Sequence, residues 1–405
     1  MTNTLTPLIK NRTFVLLFAA SIFAVTGFSM FLTTTTWYVI TDFNLPSLLG
    51  IVLIAITVPR LVMMAYGGVL ADNYKKSTIM FGTNLIQAVL LLIITLFVWN
   101  NAMSFVLLLV FAGLFGMLDA FFGPASTSLL PKIVERPQLQ KANAYFQGVD
   151  QLSFIMGPVL AGATMEVAGV SASFFLAFIL VSLSAVIIFP PLIREAAVEN
   201  KVNQSPITNL KEGFNYVRGS NFLLIGMLIL ITLNFFIFGT LHVAMPLLVD
   251  IHGGSPINLS YMEMCLSIGM VFGTLVLGRY IIAEKGKMSL YGLLATVIFY
   301  IIFSFMDHLM LLPLMLLFIG FAMSFVFIPF FTAAQEITEN RLMGRVMSLI
   351  FLAMNGFDPI AYALVSGLNS IGVPLQFILF GFGSIGLIIT TTIFVKAREF
   401  QRIVT

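Results

Sequence analysis

The sequence predicts an all-α membrane protein of twelve transmembrane helices in two pseudo-symmetric six-helix bundles, and three observations predict it. Of the 405 residues, 59% are apolar and 9% charged, against ~25% charged in a soluble domain. Twelve stretches reach the ~20 apolar residues that a membrane-crossing helix needs. Lysine and arginine, finally, gather on one side of those stretches. A single cysteine, Cys265, excludes an internal disulfide. No zinc-type Cys/His spacing or histidine cluster calls for a metal or cofactor.

The first six spans lie near 13–40, 46–71, 78–99, 102–130, 142–165 and 171–192. The next six lie near 222–249, 257–283, 288–306, 309–332, 346–369 and 373–395. Lys10 and Arg12 precede the first span, Lys75 and Lys76 part the second from the third, and Lys132, Arg136 and Lys141 part the fourth from the fifth. Arg194, Lys201, Lys211 and Arg218 follow the sixth. In the second half the same side carries Arg279, Lys285, Lys287, Arg341, Arg345, Lys396, Arg398 and Arg402. The opposite loops, around 42–45, 99–102, 166–170, 250–256, 307–308 and 370–372, carry no basic residue. That places 19 of 20 basic residues on one side. The positive-inside rule makes this side cytoplasmic, with both termini there, and supports the span count, because one missed span would invert the pattern. The first span is longer than a signal-peptide core and no small-residue cleavage site follows it.

Residues 193–221 form the one sizeable polar interruption and divide the chain into a bundle over 1–192 and another over 222–405. Within that loop Leu210, Phe214 and Val217 are spaced for a short amphipathic helix on the inner membrane surface. The halves echo each other: "GPVLAGATMEVAGV" has a counterpart in "DPIAYALVSGLNSIGV", with Pro158 and Pro359 separated by 201 positions. Twelve spans, a central loop and a half-length repeat are the plan of a two-bundle secondary transporter. "GMVFG", 269–273, reads as a small-xxx-small helix contact. "GFGSIG", 381–386, matches a dinucleotide fingerprint but lies within the last span, away from any βαβ unit.

Three stretches carry a family likeness. "GGVLADNYKKS" sits between the second and third spans, "DAFFGPASTSLLPKIVERPQLQKANAYFQGVDQLSFIMGPVLAG" covers the fourth and fifth, and "GRVMSL" precedes the eleventh. With them the chain resembles the major facilitator superfamily, and within it the bacterial exporters that include macrolide-efflux and enterobactin-export proteins. Gly68, Leu70, Ala71 and Asp72 fit the superfamily loop pattern, while Asn73 stands where the pattern has arginine. The fourth span lacks the arginine of many drug–proton antiporters. The resemblance implies a gating loop in which Asp72 meets the start of the eleventh span near Arg345. Gly157, Pro158 and Gly162 match a helix motif typical of antiporters. The resemblance also implies a cavity lined by spans 1, 4, 7 and 10, where Trp37, Asn234, His242 and Phe327 are selected.

Charges within the spans are the chemical candidates. Arg60 lies 12 residues before Asp72, ~18 Å along a helix, which sets it roughly mid-membrane. Asp119 lies 11 residues before Leu130 on a span of the same direction, at a similar depth. An intramembrane arginine costs at least ~2.5–3.5 kcal/mol and needs a partner, so Arg60 and Asp119 are expected to pair, as a static clamp or as a switch. Asp358, Asp119, Asp150 and Glu263 are the proton-coupling candidates, since a carboxyl in such surroundings can take up and release protons. Asp358 leads them because it is well inside its span with no basic residue near it in sequence.

The expectation is a proton-coupled exporter of amphipathic hydrophobic compounds such as macrolide-like drugs, acting by alternating access in a bacterial cytoplasmic membrane. Its partners would be membrane lipid, protons and a small-molecule substrate, without nucleic acid, and the chain would act as a monomer. The alternatives are an exporter of an endogenous siderophore or other metallophore, a lysophospholipid flippase, and a non-transporting sensor. No nucleophile–base constellation or P-loop points to an enzyme or to direct ATP coupling.

Overall fold

A computed structural model describes residues 8–135, 138–193, 195, 206–279, 282, 284–339, 342–397 and 400. Among these residues the secondary structure is helical and no strand occurs. The spans of the first half are α1 (Arg12–Thr41), α2 (Leu49–Asn73), α3 (Lys76–Trp99), α4 (Phe105–Ile133) and α5 (Leu139–Ile187). At 49 residues, α5 would reach ~74 Å as one straight helix, more than twice the ~30 Å hydrocarbon core. It is two helices joined at Gly169, whose φ of 83° and ψ of 174° leave the helical region. A positive φ is open to glycine at little cost. The turn falls in the predicted 166–170 loop, so the eleven long apolar helices of the described residues correspond to the twelve expected spans.

Helix α6 (Pro206–Arg218) lies in the central loop, as its amphipathic spacing predicts. Its buried face differs in detail: Val217 is buried and Phe214 is exposed. Leu210 lies outside the residues whose side chains are described. The second half then has α7 (Asn221–Leu233), one π-turn over Asn234–Phe238, α8 (Gly239–Ile251), α9 (Pro256–Leu277), α10 (Lys285–Ser304), α11 (Leu312–Ile337), α12 (Met343–Asn355), α13 (Asp358–Ser370) and α14 (Leu375–Lys396). The seventh and eleventh predicted spans are therefore each interrupted, the seventh by the π-turn and the eleventh at Gly356–Phe357.

The chain divides into two compact units, one of Met1–Tyr38 with Ala55–Asn203 and one of Val39–Ile54 with Gln204–Thr405. The sequence assigned 39–54 to the first bundle; the structure groups it with the second half. The reason lies at Gly50, whose N–H donates to Ser366 Oγ at 2.8 Å. A Cβ on Gly50 would stand only 2.4 Å from that oxygen and from the Tyr362 carbonyl.

Within the first unit, α1, α3 and α4 share a core of Leu17, Ala20, Met80, Phe122, Ala125 and Leu129. Glu195, at the start of the central loop, closes the N-terminus of α3. Its carboxylate accepts the N–H groups of Lys76 (2.9 Å) and Ser77 (3.1 Å) and the Ser77 hydroxyl (3.0 Å). Lys76 lies buried beside it, Nζ 3.9 Å from Oε1. Within the second unit, small residues allow the close helix contacts that substitute for a hydrophobic driving force inside lipid. Gly269 of α9 packs on the Leu317 backbone of α11 and Gly320 of α11 on the Leu266 backbone of α9, and Gly273 meets Ser324, as the "GMVFG" spacing predicts. Glu212 of α6 ion-pairs with Arg345 of α12, and Tyr216 Oη donates to the Ile337 carbonyl at 3.0 Å, so α6 is fastened to this unit.

Candidate functional site

The first unit brings Arg60 and Asp119 together, Nε to Oδ2 at 2.9 Å. Two glycines of α4 bring them there. A Cβ on Gly116 would lie 2.2 Å from the Ile56 carbonyl, and one on Gly113 3.2 Å from the Ala55 carbonyl. With α2 and α4 in backbone contact, one helical turn further on carries Ile56 to Arg60 and Gly116 to Asp119. Phe28 of α1 completes the clasp, with the Arg60 Cζ 4.8 Å from its ring centroid. A guanidinium is well suited to a ring face on one side and a carboxylate on the other. The contact is an ion pair between a guanidinium and a carboxylate. Arg60 keeps 39% of its side-chain surface exposed and Asp119 17%, because both face a cavity.

That cavity has a volume of about 240 Å³ and is lined by α1, α2, α4 and α5. Asp150 also lines it. The walls are apolar and aromatic, with Met64, Phe122, Phe146 and Phe154 among them, and Ser21, Ser126 and Thr127 supply hydroxyls. Two carboxylates and one guanidinium thus share a mid-span chamber. This is the pattern of a pocket whose few polar groups orient an apolar guest.

The second unit holds a different acid. Asp358 is the first residue of α13, just past the break that ends α12, and is 5% exposed. Its Oδ1 has no hydrogen-bond partner among the described residues. Gly239, where the π-turn passes into α8, makes the space: a Cβ there would lie 3.5 Å from Oδ1, 3.1 Å from the Asn234 carbonyl and 3.0 Å from Ala361 Cβ. Asn234 is buried in the π-turn and donates to the Leu230 carbonyl at 2.9 Å. His242, one turn beyond Gly239, holds the Phe238 carbonyl through Nδ1 at 2.9 Å and packs edge-on to Tyr362 of α13. Asn234 and His242, selected as cavity residues, thus belong with Asp358.

The repeat relates this site to a crossing in the first unit. Gly157 and Asp358 each stand one residue before the matched prolines Pro158 and Pro359. Gly157 lies against Ser29 of α1, where a Cβ would come within 2.6 Å of the Ser29 Cβ. In the first unit the glycine is on the fifth span; in the second it is on the seventh, and the acid stands in its place. The remaining candidates are more scattered. Glu263 is half-buried on α9 and Gly162 buried on α5. Trp37 is buried in α1 and Phe327 half-buried in α11, and neither lines the Arg60 cavity. Gly68 and Asp72 lie outside the residues whose side chains are described. Arg345 is joined to Glu212. Phe28, Glu195 and Glu212 did not stand out in the sequence: Phe28 sits in a phenylalanine-rich run, Glu195 in a polar stretch without periodicity, and Glu212 between the apolar positions of the short loop helix.

Apolar helices of spanning length, with a cavity-facing acid pair in one unit and a buried acid in the other, mark a multi-pass α-helical membrane protein. The chain matches the family model of the Major Facilitator Superfamily over residues 17–361, and it belongs to that family of membrane transporters. It is 26% identical over 351 residues to macrolide efflux protein A of Streptococcus pyogenes, covering 84% of this chain and 83% of that protein. It is 24% identical over 321 residues to the enterobactin exporter EntS of Escherichia coli O81 (strain ED1a), covering 76% and 74%. Among solved structures, an auto-inhibited POT family peptide transporter aligns with TM-score 0.75 at 13% identity over 97% of this chain and 98% of that one. The nucleoside transporter NupG aligns with TM-score 0.70 at 15% identity over 95% and 99%. These two likenesses show the fold alone.

Proposed function

We propose that this transporter is a proton-coupled exporter of amphipathic, largely apolar compounds of the macrolide-like kind. It would work by alternating access in a bacterial cytoplasmic membrane with both termini inside. The observation that carries the reading is Asp358, a carboxyl buried at a helix break with one oxygen that no described donor reaches. Binding a proton removes its charge and releasing the proton restores it, which supplies the two states that coupling requires. The aromatic and Met-lined walls of the chamber beside Arg60 suit an apolar group better than a sugar or a peptide backbone. The relative named for macrolide efflux supports the direction and the substrate class. The relative named as an enterobactin exporter favours a metallophore as the second reading. Two acids against one arginine in the chamber run against an anionic cargo.

The test uses inverted membrane vesicles with an acidic interior and a pH-sensitive dye. Macrolides, lipophilic cations and metal-free siderophores are added one at a time. Proton release on adding a macrolide or cation, lost in Asp358→Asn, is the expected result. Release with siderophores alone would move the protein to metallophore export, and silence across the panel would remove the drug reading.

A further inference from the structure

The charges of the first-unit cavity do not balance. Arg60 is committed to Asp119 and to the ring of Phe28. Asp150 lines the same cavity, and among the described residues no salt bridge includes it. One negative charge is therefore left over. Its surroundings on α5 follow from helical spacing: Phe146 is one turn before Asp150 and Phe154 one turn after, and residues four apart share a helix face. All three line the cavity. Asp150 thus sits between two aromatic side chains, with exposed Phe154 and Met64 beside it.

An acid flanked by rings suits an ammonium or other bulky monocation, which is attracted both to the carboxylate and to the ring faces. The cavity already shows this preference with a cation of its own. The Arg60 guanidinium, held by Phe28 and Asp119, shows the same combination of ring and carboxylate. A polyanion would meet two carboxylates here and one guanidinium already engaged. We infer that Asp150, with Phe146 and Phe154, is the subsite for the cationic head of an amphipathic monocation, the apolar body of which lies along the Met64 and Phe122 walls. This rests on the exporter reading and deepens it. Substrate charge is met at Asp150 in the first unit and the coupling proton at Asp358 in the second, so the two do not compete for one carboxylate.

The experiment measures equilibrium binding of radiolabelled tetraphenylphosphonium to the purified full-length protein in lipid nanodiscs, with tetraphenylborate as a probe of the same shape and opposite charge. Tetraphenylphosphonium is expected to bind and tetraphenylborate not to displace it. Asp150→Asn is expected to weaken binding about tenfold or more, the size of one contact to a charged group. Asp150→Glu, which keeps the charge, is expected to bind within a few-fold of the unaltered protein. Equal binding by Asp150→Asn, or binding of tetraphenylborate as tight as that of the cation, would overturn the subsite. If Asp150→Asn fails to fold, the comparison of the two probes on the unaltered protein still decides. The vesicle assay separates this from the exporter reading. Cation binding without proton release would sink the coupling and leave the subsite standing. Proton release driven by neutral or anionic compounds alone would do the reverse.

Discussion

Removing both halves of the Arg60–Asp119 pair is expected to harm the protein less than the two single removals together. At 2.9 Å the Coulomb attraction is ~6 kcal/mol at an effective dielectric of 20 and ~1.4 kcal/mol in bulk water. Arg60 is 39% exposed, so the value belongs toward the screened end, at ~1–3 kcal/mol. Arg60→Ala strands a largely buried carboxylate, and Asp119→Ala strands a guanidinium that keeps only the Phe28 ring. Each leaves a desolvated charge uncompensated, whereas the double variant leaves none. Reversible unfolding of the four proteins in mixed micelles gives the coupling energy directly. A double variant more stable than the summed singles by ~1–3 kcal/mol is expected. Additivity within ~0.5 kcal/mol would refute the pair as an energetic unit and leave the 2.9 Å approach a consequence of packing alone.

Gly116→Leu places a Cβ 2.2 Å from the Ile56 carbonyl, which as backbone cannot turn aside. It should cost at least ~1–3 kcal/mol by overpacking and lower the thermal melt, and Arg60→Ala added to it should cost less than in the parent. An unchanged melt would contradict the backbone contact of α2 with α4. Glu195→Ala uncaps the first turn of α3, for a loss of ~1–2 kcal/mol that Glu195→Gln should recover in part; equal stability of all three proteins would remove the cap. Gly239→Ala brings a methyl group 3.0 Å from Ala361 and 3.5 Å from Asp358 Oδ1. The protein should still fold and its substrate-driven proton release should fall several-fold; an unaltered rate would show that the closeness of α8 and α13 plays no part in coupling.

The spans were legible because each needs ~20 apolar residues in a row, and the basic residues then fix their alternation. The Arg60–Asp119 pair was legible for a related reason: helix rise converts sequence distance into depth, and two charges at one depth on like-directed spans have few other partners. What the sequence did not reveal depends on contacts that have no period. The π-turn at Asn234–Phe238 and the break at Gly356–Phe357 lie inside runs that read as continuous spans. The grouping of 39–54 with the second half rests on one glycine, Gly50, meeting Ser366. Glu195 and Glu212 come from a polar loop whose long-range partners, α3 and Arg345, no local pattern announces. Trp37 and Phe327 were selected because the family likeness implies a cavity along their aromatic-rich spans, and neither lines the Arg60 cavity.

The repeat gives those scattered observations a common sense. Two crossings at matching places in the sequence repeat, fifth span on first and eleventh on seventh, each have one glycine where the helices meet. In the first unit Gly157 yields to Ser29, and the crossing closes by packing alone. In the second, Gly239 yields to Asp358, so an acid is buried without a shift of backbone. The charge of the first unit is placed elsewhere, one turn past the Gly116 contact, where Arg60 and the cavity face it. The two halves thus keep one helix plan and differ in where they hold their carboxyls: open to a guest beside Phe146 and Phe154, shut in beside Gly239. The proposed exchange of a cation for a proton would use one acid of each kind, and the two halves differ in this way through which partner of the crossing is glycine.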